Sequence, residues 1–390
     1  MEDGDEPPDR QKDSELTRKV NDTRRVILLP TKGEKAVCNP ATLDFHFIYR
    51  VRKPANNGYR EKSVLKCQKL ETPYRLDGNP KTVLYPQTKY EQDGIEDARL
   101  SKLENGLYGI TYVAFNEDEQ NGSTSIALAT TDDFKKIKRE GIIGPRIRFE
   151  DAIKLVGGPD SYYGEKLFKE LREIQKKHGD INPFVMDKDA SLKFDKKTKE
   201  YILFHRVDPG IQIARAKNIS CFQNQEFWRD QFTRLEENTI LYPGTEDSSE
   251  DWASEKVGLG GTPRSIEGRL ICHIHGVQKE TEDRRETYTY KGTFAELDPK
   301  TYKIISILRN PLLCPGGDYF FEELSDEVNI RKYVNFPTDW IVDPKNSKVL
   351  WSYSGENDFA IETRSTSLPW LLKELSHRHN KIDNWQDGIA

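Results

Sequence analysis

The sequence predicts an all-β protein, and three observations carry that expectation. From Arg25 onward, short runs rich in Tyr, Phe, Ile and Val recur, among them DFHFIYRV (44–51), GLYGITYVAF (106–115), STSIALATT (123–131), KEYILFHRV (199–207), RLICHIHGV (269–277), TYTYKGTFAEL (287–297) and KVLWSYSG (348–355). Several alternate polar and apolar residues, as a strand with one covered face does. Turn-forming pairs punctuate them: Asn57-Gly58, Asp77-Gly78, Asn105-Gly106 and Pro315-Gly316. A loose internal repeat also runs through IALATTDDF, IQIARAKNI and IETRSTSLPWLL. Strands and turns alone fit a sandwich, a barrel or a propeller. The repeat favours the propeller, with those three segments as equivalent outer strands of successive blades.

The elements outside this pattern are few. Residues 1–24 are charged, carry a Pro-Pro pair, and read as a mobile or partly helical arm before a single domain over 25–390. Residues 160–178 place Leu167, Phe168, Leu171 and Ile174 at helical spacing on a charged segment. That predicts a helical insertion between blades, by default a solvated surface helix. A second amphipathic piece, Leu368 to Leu375, closes the C-terminal end.

Composition limits the function classes. Hydrophobic residues make up 35% and charged residues 32% of the 390 residues, and mean hydropathy is -0.79, which describes a soluble protein with a polar surface. No apolar run approaches the roughly 20 residues of a membrane helix. The N-terminus has no apolar core of a secretory signal, so a cytoplasmic location is expected. A net charge of -5 argues against a dedicated nucleic-acid binder. The five cysteines are odd in number and form no C-x-x-C pair, so neither a disulfide framework nor a zinc site is suggested, and no metal or organic cofactor is expected.

Four constellations could carry chemistry. Tyr90 to Arg99 holds several acids with one Arg, and simple strand alternation would put Asp97 and Arg99 on one face. An Arg there would orient the carboxylate and lower its pKa; a salt-bridged turn is the bland alternative. Asp187-Lys188-Asp189-Ala190 is followed by His205-Arg206. Lys256 opens a glycine-rich stretch to Pro263, followed by His275-Gly276; such glycines let backbone approach a ligand. Arg206, Lys256 and His275 together could hold an anion such as phosphate, although singly each His is more often a core residue. The fourth is Phe336-Pro337-Thr338-Asp339 with Gly355 to Asp358, where Asp358 also fits an Asx-turn.

In this order the segments resemble glycoside hydrolase family 130, the β-mannoside phosphorylases and related mannosidases. CNPATLDFHFIYRVR (38–52), YEQDGIEDARLSKLENGLYGITYVAF (90–115), DKDASLKF with YILFHR (187–206), EKVGLGGTPRSIEGRLICHIHGV (255–277) and FPTDWIVD with WSYSGEND (336–358) carry the resemblance over about residues 37–375. It implies a five-bladed β-propeller with its site on the central axis. It implies Asp97 as general acid, its proton travelling through the mannose 3-hydroxyl. Asn39, Arg50 and Asp358, with Arg99, would bind the mannose. Arg206, Lys256 and His275, with Lys188, would bind inorganic phosphate as co-substrate. The implied outcome is inversion, from a β-mannoside to α-mannose 1-phosphate, at a β-1,2 or β-1,4 linkage. The implied partners are an oligosaccharide and phosphate, with a homo-oligomer admitted. Met186 and Asp187 stand where the family's phosphorylases carry Arg-Asn, and Ile274 replaces an aromatic residue.

Three alternatives stay open, of which one, a protein-interaction propeller, would need no converging polar axis. A β-mannoside hydrolase would use water, with Asp187 or Glu255 as base, since inverting hydrolysis needs a second carboxylate. Phosphorolysis instead needs cations that bring the dianion to the sugar. A carbohydrate-binding propeller without catalysis would need no anion site.

Overall fold

The computed structural model describes residues 15–54, 62–116, 124–244, 252–282, 285–315, 333–356, 359–377 and 380. A short helix, α1 (Glu15–Asn21), precedes strand β1 (Arg25–Leu28). Then come antiparallel meanders. The first is β2 (Ala36–Leu43), β3 (His46–Lys53), β4 (Lys62–Thr72) and β5 (Arg75–Leu84). The second is β6 (Gly94–Lys102), β7 (Tyr108–Phe115), β8 (Thr124–Thr131) and β9 (Lys138–Ile142). A single parallel pair, Ser63 with Gly94, joins the two into one sheet.

Helices α2 (Phe149–Leu155) and α3 (Tyr162–His178) lead to the third meander. It comprises β10 (Lys188–Asp195), β11 (Glu200–Arg206), β12 (Ile211–Ala216) and, after α4 (Gln225–Thr233) and α5 (Leu235–Asn238), β13 (Thr239–Leu241). The fourth is β14 (Lys256–Leu259), β15 (Arg264–Ile266), β16 (Arg269–Glu282), β17 (Arg285–Leu297) and β18 (Ile304–Ile307). The fifth is β19 (Asn335–Asp343), β20 (Asn346–Glu356) and β21 (Ala360–Ser367), completed by β1 from the start of the chain. Helix α6 (Leu368–Ser376) follows.

Each meander packs on the next through apolar side chains. Ile48 and Ile110 belong to a cluster between the first and second, and Leu128 and Leu203 to one between the second and third. Phe204 and Ile274 join the third to the fourth, and Phe294 and Leu350 the fourth to the fifth. Phe47 and Tyr353 then join the first to the fifth, so the chain of contacts returns to its start. Strands covered on both faces lose polar alternation, and β7 and β8 accordingly read as nearly continuous buried runs. Side-chain hydrogen bonds also tie the meanders to one another. The Thr111 hydroxyl donates to the Ala190 carbonyl (2.7 Å), the Thr262 hydroxyl to the Leu100 carbonyl (2.7 Å), and the Thr42 amide to Asp339 (2.6 Å).

The strand-rich runs read from the sequence are β3, β7, β8, β11, β16, β17 and β20, and the repeat segments mark β8, β12 and β21. These last three occupy the same third position in their meanders, one strand short of the outer edge expected. Asp77-Gly78 is no turn. It lies inside β5, where Gly78 takes φ 71° at an irregular stretch of the β4 pairing. Asn57-Gly58 and Gly316 lie outside the described residues.

The expected insertion is α3, and it is not a solvated surface helix. Ser161 caps it, accepting from the Gly164 amide, and Tyr163, Leu167 and Leu171 are buried in the core beside the third meander. Of the N-terminal arm, residues 1–14 lie outside the described set. Residues 15–24 are docked: Thr17 donates to the Pro311 carbonyl (3.0 Å), Val20 is buried, and Arg24 pairs with Glu362 (2.6 Å). No described helix is long and apolar enough to cross a membrane.

Candidate active site

Three first strands carry the same local distortion. Asn39 in β2, Asp97 in β6 and Asp189 in β10 all have positive φ, at 49°, 50° and 51°. At each the pairing with the next strand shifts: between Cys38 and Ala41, Glu96 and Arg99, and Lys188 and Ser191. The left-handed region is disfavoured for most side chains, and Asn and Asp tolerate it best. A bulge of this kind breaks the alternation of a strand and re-aims a polar side chain. The repeated motif is an Asn or Asp followed by Pro or Ala.

The bulges bring a first group of side chains together. The Asn39 side-chain amide donates to Asp97 Oδ1, and Arg50 Nη1 lies 3.5 Å from the same oxygen. Arg50 Nη2 pairs with Glu96, the residue before Asp97. Asn39, Arg50 and Asp97, drawn from β2, β3 and β6, thus meet as expected. The partner of Asp97 differs from expectation. Simple alternation pairs Asp97 with Arg99, but the bulge separates them, and Arg50 takes that place.

A second group lies beside the first. Arg206 Nη1 is 2.7 Å from Asp189 Oδ2, and Arg206 Nε is 2.8 Å from Asp208 Oδ1. His275 Nε2 lies 3.2 Å from Asp189 Oδ2 and 3.3 Å from Arg206 Nη1. Lys256 Nζ stands 4.0 Å from Asp208 Oδ2. Burial would raise the Asp189 carboxyl, but Arg206, His275 and Arg99 hold it well below the usual range. Partial desolvation opposes ionisation of the half-exposed Asp208, and Arg206, Lys256 and Lys188 reverse the effect. The His275 imidazole is pushed down by burial, against the pull of Asp189. Its ring is fully buried and packs 4.1 Å from Phe336, whereas Lys188 and Lys256 are only partly buried.

Arg99 sits between the groups. It is 1% exposed, and its Nη1 donates to its neighbour's carbonyl at Ala98 (3.0 Å). Burial lowers its pKa, while Asp189, Asp97 and Asp339 raise it. Asp339 is structural: it accepts from the Thr42 and Trp340 amides and pairs with Arg264 (2.9 Å), bolting β19 to β2.

The glycine-rich stretch packs closely against the second group and against β19. A Cβ at Gly258 would stand 2.3 Å from Asp189 Oδ2 and 2.4 Å from the His275 ring, so only glycine admits that pair against β14. At Gly260 and Gly261 the neighbours are the Pro337 and Thr338 carbonyls, at 2.7 and 2.6 Å. Asp187 is also committed. Its Oδ2 lies 3.0 Å from His205 Nδ1 and its Oδ1 accepts from the Arg206 amide (3.1 Å), while Glu255 is exposed. Asp358 lies outside the described residues; Gly355, three residues before it, approaches Asn39, whose amide nitrogen would be 3.3 Å from a Cβ there.

Sequence reasoning left out Asp189, Asp208 and Glu96 as site residues. Asp189 could have been found by aligning KDA with EDA and CNP. Asp208 follows His205-Arg206 by two positions, on the turn into β12, where only the fold reveals its partners.

Residues 30–375 match the model of glycoside hydrolase family 130, described as beta-1,4-mannooligosaccharide phosphorylase. A beta-1,2-mannobiose phosphorylase of Thermoanaerobacter sp. (strain X514) is 26% identical over 337 residues, covering 80% of this chain and 87% of the relative. In fold, the chain is similar to a beta-1,2-mannobiose phosphorylase from Listeria innocua, solved with beta-1,2-mannobiose (TM-score 0.56, 17% identity, 90% of this chain and 93% of that one). It is equally similar to a structure described under glycoside hydrolases of this family that target beta-1,2 mannosidic linkages in Candida mannan (TM-score 0.57, 14% identity, 87% and 91%). With the family model matched over most of its length, the chain belongs to glycoside hydrolase family 130.

Proposed function

We propose that this protein is an inverting β-mannoside phosphorylase that converts a β-1,2-linked mannoside and inorganic phosphate to α-mannose 1-phosphate. The meanders would be the blades of a five-bladed propeller, with β2, β6, β10, β14 and β19 around the axis. The contacts that return from the fifth meander to the first support that architecture.

One observation carries the reading: a carboxylate held by Asn39 and Arg50 lies beside a cluster of cations, with Arg99 within electrostatic reach of both. Asp97 is the general acid. Asn39 and Arg50 both address Oδ1, which leaves Oδ2 to carry the proton. Asn39, Arg50, Arg99 and Asp358 bind the mannose at this end. Lys188, Lys256 and Arg206 bring phosphate to the opposite face, with His275 behind Arg206. A phosphate oxygen bonds to the anomeric carbon as the glycosidic bond breaks, and the proton of Asp97 passes by way of the 3-hydroxyl to the leaving oxygen. Cations suffice on the phosphate side because the nucleophile arrives charged.

The placement of Asp187 and Glu255 favours phosphorolysis over hydrolysis, since Asp187 is occupied by His205 and the Arg206 amide and Glu255 is exposed. The relative from Thermoanaerobacter favours the β-1,2 linkage. The test is product analysis on β-1,2- and β-1,4-mannobiose with and without phosphate. Mannose 1-phosphate formed only with phosphate is expected. Free mannose at the same rate without phosphate would replace this reading with hydrolysis.

A further inference from the structure

Glu96 stands immediately before Asp97, and in a regular strand two such neighbours point to opposite faces. The bulge at Asp97 removes that alternation: φ is 50°, and the pairing with β7 shifts between Glu96 and Arg99. Both carboxylates then reach one guanidinium. Arg50 Nη2 pairs with Glu96 Oε1, and Arg50 Nη1 lies 3.5 Å from Asp97 Oδ1. None of the three is sealed from solvent, with side chains 17% (Arg50), 18% (Glu96) and 15% (Asp97) exposed.

The two related bulges are built differently. The residue before the turned one is Cys38 at Asn39 and Lys188 at Asp189, so of the three only the bulge of β6 has an acid in that position. Glu96 is held in turn from β4. Its Oε1 accepts from the Ser63 hydroxyl (3.4 Å), and Ser63 pairs with Gly94 at the parallel contact that joins the first two meanders. A Cβ at Gly94 would stand 2.9 Å from the Ser63 hydroxyl oxygen, so glycine admits the close approach of β6 to β4 beside Glu96.

We propose that Glu96 is a positioning residue for the reaction. It acts through Arg50, holding the guanidinium where it reaches both Asp97 and the mannose, and does not itself touch the sugar. This rests on the reading of Asp97 as the acid and Arg50 as a mannose ligand. A long Arg side chain loses much rotamer freedom when it is fixed. A carboxylate that grips Nη2 meets that cost before substrate arrives, and it leaves Nη1 directed at Asp97 Oδ1.

The experiment is a double-mutant cycle on the full chain, with E96A, R50A and the two combined, and E96Q alongside. For each protein kcat and KM on β-1,2-mannobiose at saturating phosphate, mannose binding by calorimetry, and Tm are measured. E96A is expected to lower kcat/KM about tenfold to 100-fold at the Tm of the wild type, the range for losing a hydrogen bond between charged groups. E96Q keeps an oxygen for Nη2 and is expected to stay within about fivefold of the wild type. In the R50A background, E96A is expected to add less than about twofold.

Effects that multiply in the double variant would overturn the inference, since Glu96 would then act without Arg50. E96A with wild-type activity would overturn it too. So would E96Q as impaired as E96A, because charge and not placement would then be what Glu96 supplies. Should E96A not fold, E96D takes its place in the cycle with the same expectations, since it keeps the charge and shortens the reach. Mannose released at the same rate without phosphate would overturn the phosphorylase reading alone, and the cycle would be read on hydrolysis, which uses the same acid. A wild type that neither cleaves mannobiose nor binds mannose would overturn both, a result distinct from a multiplicative cycle in an active enzyme.

Discussion

Asp208 stands between two cations of the pocket, with one carboxylate oxygen 2.8 Å from Arg206 Nε and the other 4.0 Å from Lys256 Nζ. Before any anion arrives, this acid holds the cations that the proposed phosphate would need. Its side chain is 44% exposed, so water competes for it and the pairing is replaceable. An anion seated on Lys256 and Arg206 would displace part of that pairing.

Asp208→Asn tests this competition. Removing the charge leaves Lys256 and Arg206 more positive toward an anion, while Asp189 still orients Arg206. Sulfate affinity at pH 7 should rise about threefold to tenfold, as a partly screened unit charge at short range allows. A fall in affinity would mean that Asp208 chiefly positions Arg206.

Asp97→Asn tests the acid. The amide keeps an oxygen for Asn39 and Arg50, so the fold and sugar binding should persist. The rate of cleavage should fall by roughly 100-fold to 10,000-fold, the usual share of general acid catalysis. Activity on mannobiose and the thermal unfolding curve are compared side by side. Full activity in the variant would remove Asp97 from the mechanism.

The legible part of this protein is what local chemistry dictates. Alternation and β-branched residues mark β3, β11 and β16, and helical spacing marks α3, because each depends only on sequence neighbours. The candidate site was legible where a motif holds its members together, as in Asn39 with Arg50. The pairing of Asp97 failed for a geometric reason: alternation assumes a regular strand, and the turn of Asp97 to φ 50° breaks it.

Gly258→Ala tests whether the glycine stretch is structural. The added methyl would meet Asp189 Oδ2 at 2.3 Å and His275 at 2.4 Å, and both belong to a buried, tightly held group. Overpacking of this kind costs about 1–3 kcal/mol. A lower Tm and weaker phosphate binding should appear together. A stable variant with unaltered phosphate binding would show that the pair relaxes freely.

His273 makes a prediction about acid stability. Its ring is fully buried, packs 4.2 Å from Phe294, and places Nε2 3.0 Å from the Ser352 hydroxyl. Burial, aided by Arg264, pushes its pKa down from 6.5 to about 3. In the unfolded chain the imidazole takes a proton as pH falls below 6.5, whereas the folded protein refuses it until about pH 3. The unfolded state thus binds the extra proton between those values, and stability declines as pH drops. Between pH 7 and pH 5 the loss from this residue is about 2 kcal/mol. Other groups titrate in the same range, so the readout is a difference. Denaturant unfolding at both pH values should show a drop for the wild type that is about 2 kcal/mol larger than the drop for His273→Gln, whatever the variant's absolute stability. Equal drops in the two proteins would mean that His273 ionises inside the fold, where Ser352 would then have to serve as its acceptor.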